Sequence, residues 1–167
     1  FSVLPKQASF GKLKKKVHRL GQVISVISTG PSDIKSKFGG IFFYGIHQVD
    51  MVLRILGQDV THVQLNQGRQ KVHTATLYSA NGAVSTINLV AEGHPSFHVS
   101  VIGERGRVDQ NISYDANPYL SGIRSFCQLF RTGKTDETNQ TILMPVAVLE
   151  GLETSLKRKK KAKVASL

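Results

Sequence analysis

The sequence holds a single cysteine, Cys127, in 167 residues. One thiol cannot close an internal disulfide, so the chain fits a reducing compartment and is expected in the cytoplasm. No Cys-x-x-Cys pair and no zinc-ligand spacing occurs, so no metal site is expected. No stretch approaches the ~18 consecutive apolar residues that a membrane span requires. The opening FSVLPKQ has neither a basic n-region nor a long apolar run, so it is not read as a signal peptide. No Gly-x-Gly-x-x-Gly follows a strand and no Walker loop is present, so these residues carry no nucleotide fingerprint. The chain starts at Phe1 rather than Met, and the simplest expectation is a soluble piece of a longer protein.

Acidic residues are also scarce. Eleven Asp and Glu face 22 Lys and Arg, a net charge of +11. A basic chain invites a nucleic-acid reading, so the placement of the charge matters. Lys12 to Lys16 with Arg19 form one cluster, and Lys157 to Lys161 with Lys163 form the other, in a basic tail over about 157–167. Each falls near the C-terminal end of an expected helix, where cations complement the helix dipole. The runs lack interleaved aromatics and no DNA or RNA motif accompanies them, which argues against nucleic acid. What remains is ordinary: 40% hydrophobic, 20% charged and 15 glycines describe one globular domain over 1–167 with many turns.

The opening residues read as a strand broken by Pro5. A helix is expected from Ser9 as N-cap to Leu20, with Phe10, Leu13, Val17 and Leu20 as its apolar stripe and Gly21 as its stop. The β-branched run 23–29 reads as a strand, and 30–40 as a loop. A helix is expected over 41–56, ended by Gly57. Strands follow over 60–67, 71–79 and 83–91, the last two joined by Asn81-Gly82, the strongest hairpin signal in the chain. A second hairpin joins 97–103 to 107–114. Asn117 and Pro118 open a helix that Gly133 stops. Asp136 or Thr138 opens a last helix to about Lys159, with Pro145 inside it, and 163–167 ends as a short strand or frayed tail. The order implies an α+β fold, a mostly antiparallel sheet with helices on one face. Cys127 sits in the apolar helical stretch IRSFCQLF and reads as a small buried hydrophobe rather than a nucleophile.

The stretch from Gly39 to Asp50, GGIFFYGIHQVD, carries the candidate chemistry. The two glycines let a ligand or another backbone come close. His47 and Asp50, three residues apart, share a helical face. A carboxylate beside an imidazole can fix its tautomer and raise its basicity, which suits a general acid or base. Spacing alone does not assign that role, because such a pair is more often structural. Tyr44 lies on the same face and can either donate a hydrogen bond to a substrate oxygen or simply pack. His73 and His98 on strands, and His94 before Pro95, carry less.

The same stretch resembles the start of the C-terminal domain of the Gfo/Idh/MocA oxidoreductases, whose pattern is G-x-x-x-D-x-x-x-H, then an Asp three residues on and a helix ending in Leu-Gly. Gly39, His47, Asp50, Leu56 and Gly57 match it. Gly21-Gln22-Val23 after a lysine-rich helix, the hairpin 101–106, the region 119–134 and the helix 144–155 resemble further parts of that domain in order. The resemblance implies a two-domain NAD- or NADP-dependent enzyme. An N-terminal Rossmann domain with a Glu-Lys-Pro motif would hold the cofactor, and none would bind here. This chain would supply His47 and the substrate pocket for a sugar, cyclitol or similar polyol. The implied fold is a glyceraldehyde-3-phosphate dehydrogenase-like C-terminal domain whose open sheet serves homo-oligomerisation. Asn88, His94 and Arg124 would be further substrate contacts. One position departs: Phe43 stands where the pattern has Asp. Either the substrate differs, Asp50 takes part of the role, or the chain is a binding and oligomerisation module that has lost dehydrogenase chemistry.

Overall fold

The computed structural model describes residues 2–69 and 71–167. Phe1, where the expected opening strand begins, lies outside them. The residues that follow are no strand. Leu4–Lys6 form a 3-10 turn, because Pro5 fixes a helical φ and the Ser2 hydroxyl accepts the Leu4 N–H at 3.3 Å. Helix α1 spans Ala8–Val17. Ser9 is inside it rather than capping it. The Asp115 carboxylate accepts the Ala8 N–H at 3.1–3.2 Å, and the Ser9 hydroxyl donates instead to the Ser113 carbonyl at 2.9 Å. A partner a hundred residues away has taken the capping role.

Strand β1, Val23–Pro31, runs two residues into the expected loop. Helix α2 spans Ile41–Leu56 as expected. Gly40 opens it at φ +59, where a Cβ would lie 3.1 Å from the Ile34 carbonyl oxygen, so this glycine serves a turn and a close backbone approach. Strands β2 (Val60–Asn66), β3 (Val72–Ser79), β4 (Val84–Val90), β5 (Phe97–Gly103) and β6 (Gly106–Ile112) follow. Helix α3 spans Leu120–Thr132, starting after Tyr119 rather than at Pro118, and Gly133 ends it in the left-handed conformation. Helix α4, Asn139–Arg158, starts from a reciprocal box in which Thr138 and Thr141 satisfy each other's backbone N–H, and it carries Pro145 inside. Strand β7 is only Ala162–Lys163.

The seven strands are ordered β6-β5-β1-β4-β3-β2-β7. Every pair is antiparallel except β1 with β4, which is parallel. Alternation along the strands divides the sheet in two. Val26, Val63, Ala75, Leu77, Ile87, Leu89, Val99 and Val101 are buried on one face. Helices α2 and α4 cover that face over β1 and β2, and α1 packs beside β6. The opposite face is set out in cross-strand rows: Ser100, Ile27, Thr86, Thr76 and Gln64 form one, and His98, Thr29, Asn88, Thr74 and Asn66 another. The fold is therefore α+β with a mostly antiparallel open sheet.

Helix α3 stands apart. It has no buried residue, although Ile123, Phe126 and Phe130 are 56%, 61% and 76% exposed along it. Cys127 is exposed with them, not buried as its apolar surroundings suggested. The basic cluster of α1 is solvated, and Lys14, Lys15 and Lys16 occupy that helix's last turn. No helix among the described residues is long and apolar enough to cross a membrane.

Gly30 of β1 leaves room for the Gln48 side chain of α2 and for the Phe97 ring of neighbouring β5. A Cβ there would fall 2.5 Å from the Phe97 ring and 3.3 Å from the Gln48 side chain. Phe97 is 2% exposed, so its ring could make way only by disturbing its packing. Gly30→Ala is expected to destabilise the chain by about 1–3 kcal/mol through overpacking. Urea unfolding with an unchanged m-value checks it, and an unaltered midpoint would contradict it.

Candidate active site

Helix α2 carries His47 two turns beyond the double glycine. The imidazole is largely buried. Its Nδ1 lies 2.9 Å from the Ser2 hydroxyl, and the rings of Tyr44 and Phe97 stand edge-on to it at centroid distances of 5.6 and 6.0 Å. Burial favours the uncharged ring and holds its pKa below the usual histidine value. The helix itself is fixed by Gln48, which is fully buried. Its amide accepts from the Ser28 hydroxyl and donates to the Gly30 carbonyl, each at 3.1 Å, tying α2 to β1.

Asp50 does not meet His47. Its carboxylate accepts from Arg54 Nε at 2.7 Å, one helical turn on. Arg54 Nη2 reaches Glu137 at 2.9 and 3.1 Å, and Lys6 pairs with Glu137 at 3.1 Å. The expected imidazole–carboxylate pair fails because a guanidinium four residues along the same helix, with a second carboxylate arriving from before α4, offers Asp50 a stronger charged partner. Burial pushes the Asp50 carboxyl up, against the pull of Arg54. Burial acts the same way on Glu137, but hydrogen bonds from Arg54, Lys6 and Thr141 outweigh it and hold that carboxyl down to about 2.

A cavity of about 650 Å³ opens at the carboxyl ends of the parallel strands β1 and β4; His47 does not itself line it, but Tyr44 and Phe97, the two rings edge-on to the imidazole, do. Phe38, Phe43, Tyr44, Phe97 and Tyr114 line it, with the Ser32 hydroxyl among them. Ser32 is 2% exposed and its hydroxyl oxygen has no hydrogen-bond partner among the described residues. An apolar, aromatic wall with few polar groups is the usual composition of a small-molecule site. Phe43 joins this wall, 5.1 Å from Phe38 and 4.9 Å from Tyr44 between ring centroids.

The other candidates are dispersed. Asn88 is on the open sheet face, donating to Thr29 Oγ1 at 3.0 Å and accepting from Thr74 at 3.4 Å. His94 is exposed between Gly93 and Pro95, which line the cavity while it does not. Arg124 lies on α3, in a separate surface groove with Ile123 and Arg131. His73 is buried and accepts the Gly68 N–H, and His98 is 4.0 Å from Asp109. Among the described residues no group of three or more His, Cys, Asp and Glu is placed to hold a metal ion. Gly39 and Gly40 follow a loop rather than a strand, and Gly40 is turned against Ile34.

Sequence reasoning missed Ser2, Gln48, Phe97 and Tyr114. Nothing local marks Ser2 or Phe97, which reach the site only through tertiary contact. Gln48 had a signal, a long polar side chain on the apolar face of α2.

Neither a family model nor a curated protein matches the chain by sequence. Solved structures do match by shape. A probable dehydrogenase from Thermotoga maritima is 17% identical with a TM-score of 0.81 over 96% of this chain. The myo-inositol dehydrogenase of Lactobacillus casei, in complex with NAD(H) and myo-inositol, is 14% identical with a TM-score of 0.80 over 99%. The myo-inositol 2-dehydrogenase of Lactobacillus plantarum is 16% identical with a TM-score of 0.79 over 98%. The chain spans 61% to 63% of the lengths of these three proteins. At such identities the likeness fixes architecture, and the chain has the α+β fold of the corresponding part of these dehydrogenases.

Proposed function

We propose that this chain is the substrate-side domain of an NAD- or NADP-dependent oxidoreductase of the Gfo/Idh/MocA type, acting on a sugar, cyclitol or similar polyol. The observation that carries this reading is His47, on the helix that the resemblance designates, beside the aromatic cavity. His47 exchanges the proton at the substrate oxygen, Tyr44 hydrogen-bonds the substrate, and the aromatic wall packs on the apolar face of its ring. Asp50 holds α2 in place through Arg54. In the intact parent a Rossmann domain binds the cofactor that exchanges the hydride. The partial span of the relatives and the bare apolar side of α3 both support a further domain. The helix-free sheet face supports a homo-oligomer.

Phe43 favours a second reading, a binding and oligomerisation module without chemistry, since a phenyl ring neither accepts a hydrogen bond nor holds charge. The parent's upstream sequence separates the two: a Gly-rich βαβ unit with Glu-Lys-Pro belongs to the enzyme only.

The test is a titration of the isotope-labelled chain with myo-inositol, followed by NMR. Perturbations are expected at Tyr44, His47 and Phe97, with no NAD(P)-dependent turnover by the 167-residue chain. Perturbations confined to the open sheet face would displace the assigned site. Turnover by the chain alone would overturn the division of labour between domains.

A further inference from the structure

The cavity and its histidine leave one question of chemistry: which imidazole nitrogen carries the proton. Three side chains near His47 bear on it. Phe43, in the place of a carboxylate, has no polar atom. Asp50 is committed to Arg54 at 2.7 Å. Ser2 alone among the described residues hydrogen-bonds the ring, its hydroxyl 2.9 Å from Nδ1, and at 2% exposed it is shielded from water.

We infer that Ser2 is a positioning residue that holds His47 through Nδ1 and so sets the imidazole in its Nε2–H form. The inference rests on the assignment of His47 above, and it follows from counting donors. The Ser2 oxygen already accepts the Leu4 N–H at 3.3 Å. If it also accepted from an Nδ1–H, its own proton would be buried with no acceptor among its recorded partners. If it donates to Nδ1, both the Ser2 proton and the Nδ1 lone pair are satisfied. Nδ1 is then the bare nitrogen and Nε2 carries the proton, and burial keeps the ring uncharged near neutrality.

The consequence separates this site from one built on a carboxylate. A carboxylate only accepts, so it forces Nδ1–H and leaves Nε2 bare, ready to take a proton. Ser2 does the reverse. His47 meets a substrate oxygen as a hydrogen-bond donor through Nε2, and its free basic position is Nδ1, under the Ser2 hydroxyl. The resting site is thereby set for an oxygen that needs a donor, a carbonyl, before a hydroxyl that must lose its proton. The turn at Pro5 delivers Ser2 to this place, so the segment leading into the domain becomes part of the site.

Long-range proton–nitrogen NMR of the full 15N-labelled chain reads this without turnover. At neutral pH, Nε2 couples to both ring carbon-bound protons and identifies itself. The expected result is a protonated-type shift at Nε2 and an unprotonated-type shift at Nδ1. Ser2→Ala removes one hydrogen bond and is expected to move the tautomer ratio about three- to tenfold toward Nδ1–H. Ser2→Thr, which keeps the hydroxyl, is expected to restore the wild-type pattern. Matching backbone amide spectra show that the variants fold. An Nδ1–H pattern in the unsubstituted chain, or a ratio that Ser2→Ala leaves unmoved, overturns the inference. Neither result depends on whether His47 acts in catalysis, so a failure here is distinguishable from failure of the proposed function.

Discussion

On the proposed reading, His47→Ala in the intact parent is expected to lower kcat by about 100- to 10,000-fold, the range spanned by loss of a positioned acid or base. In free-energy terms that is roughly 3–5 kcal/mol of lost transition-state stabilisation. The Michaelis constant for the cofactor should stay within about twofold, a size of change worth only some 0.4 kcal/mol. In the proposed reading the cofactor contacts another domain, whereas His47 meets the substrate and is held by Ser2, Tyr44 and Phe97. The substitution leaves the buried Ser2 hydroxyl without its partner, at a stability cost of about 1–3 kcal/mol. Thermal melts must therefore show the variant folded at the assay temperature. Steady-state kinetics with each substrate varied in turn supplies the check. An unaltered kcat removes His47 from the mechanism and leaves the binding-module reading in possession of the site.

The second large effect is on stability. Arg54→Ala is expected to destabilise the chain by about 3–5 kcal/mol, since it strands buried carboxylates that had shared a cation. The Asp50 and Glu137 side chains are 6% and 10% exposed. Glu137 keeps Lys6 and Thr141, whereas Arg54 is the recorded hydrogen-bond partner of the Asp50 side chain. For a chain of this size the loss corresponds to a fall in Tm of roughly 6–20 °C.

The pH dependence distinguishes the two carboxylates. Glu137 titrates lower in the folded chain, near 2, than unfolded, near 4.5. Its contribution of about 3 kcal/mol is present above pH 4.5 and lost as the pH falls toward 2. Asp50 is raised, so its contribution has the opposite sign. It is full below the ordinary carboxylate pKa and is lost as the pH rises through the elevated folded value. Removing Arg54 raises Asp50 further, so on acidification from neutrality toward the ordinary carboxylate range the variant should gain more stability than the unsubstituted chain. Melting curves across that range read the slope. A variant as stable as its parent, with the same slope, would mean that the network contributes nothing net.

The sequence showed the fold better than it showed the site. The helix at 41–56 and the hairpin at Asn81-Gly82 follow from local rules, apolar periodicity and turn chemistry, and both stand in the structure. Elements whose limits depend on distant partners were misplaced. Helix α1 is capped by Asp115 rather than Ser9, and the opening segment turns at Pro5 instead of extending. His47 and Tyr44 were visible because both lie on one helix. Asp50 was assigned by spacing to the wrong partner, since helical spacing at three and at four residues is equally permissive and charge decided the contest for Arg54. Ser2 and Phe97 reach His47 across the fold, and no periodicity encodes that. Cys127 misled for a related reason: an apolar helical face says what a helix would bury, not whether the surface that buries it belongs to the same domain.

The single parallel pairing has a consequence for how the chain acquires its shape. Strands β2, β3 and β4 follow one another as antiparallel neighbours, and so do β5 and β6, so each group can zip up from a short connection. Strand β1 sits between the two groups, with Ser25 beside Val84 on one side and Ile102 on the other. Neither partner is near it in sequence, so closing those loops carries a larger entropy cost than zipping either ribbon. The two ribbons should therefore form early and β1 should lock in after them, bringing with it the Gln48 amide that ties α2 to its strand. Amides of β1 and α2 would then exchange with solvent as one cooperative unit, and the helix that carries His47 would be no more permanent than the strand beneath it.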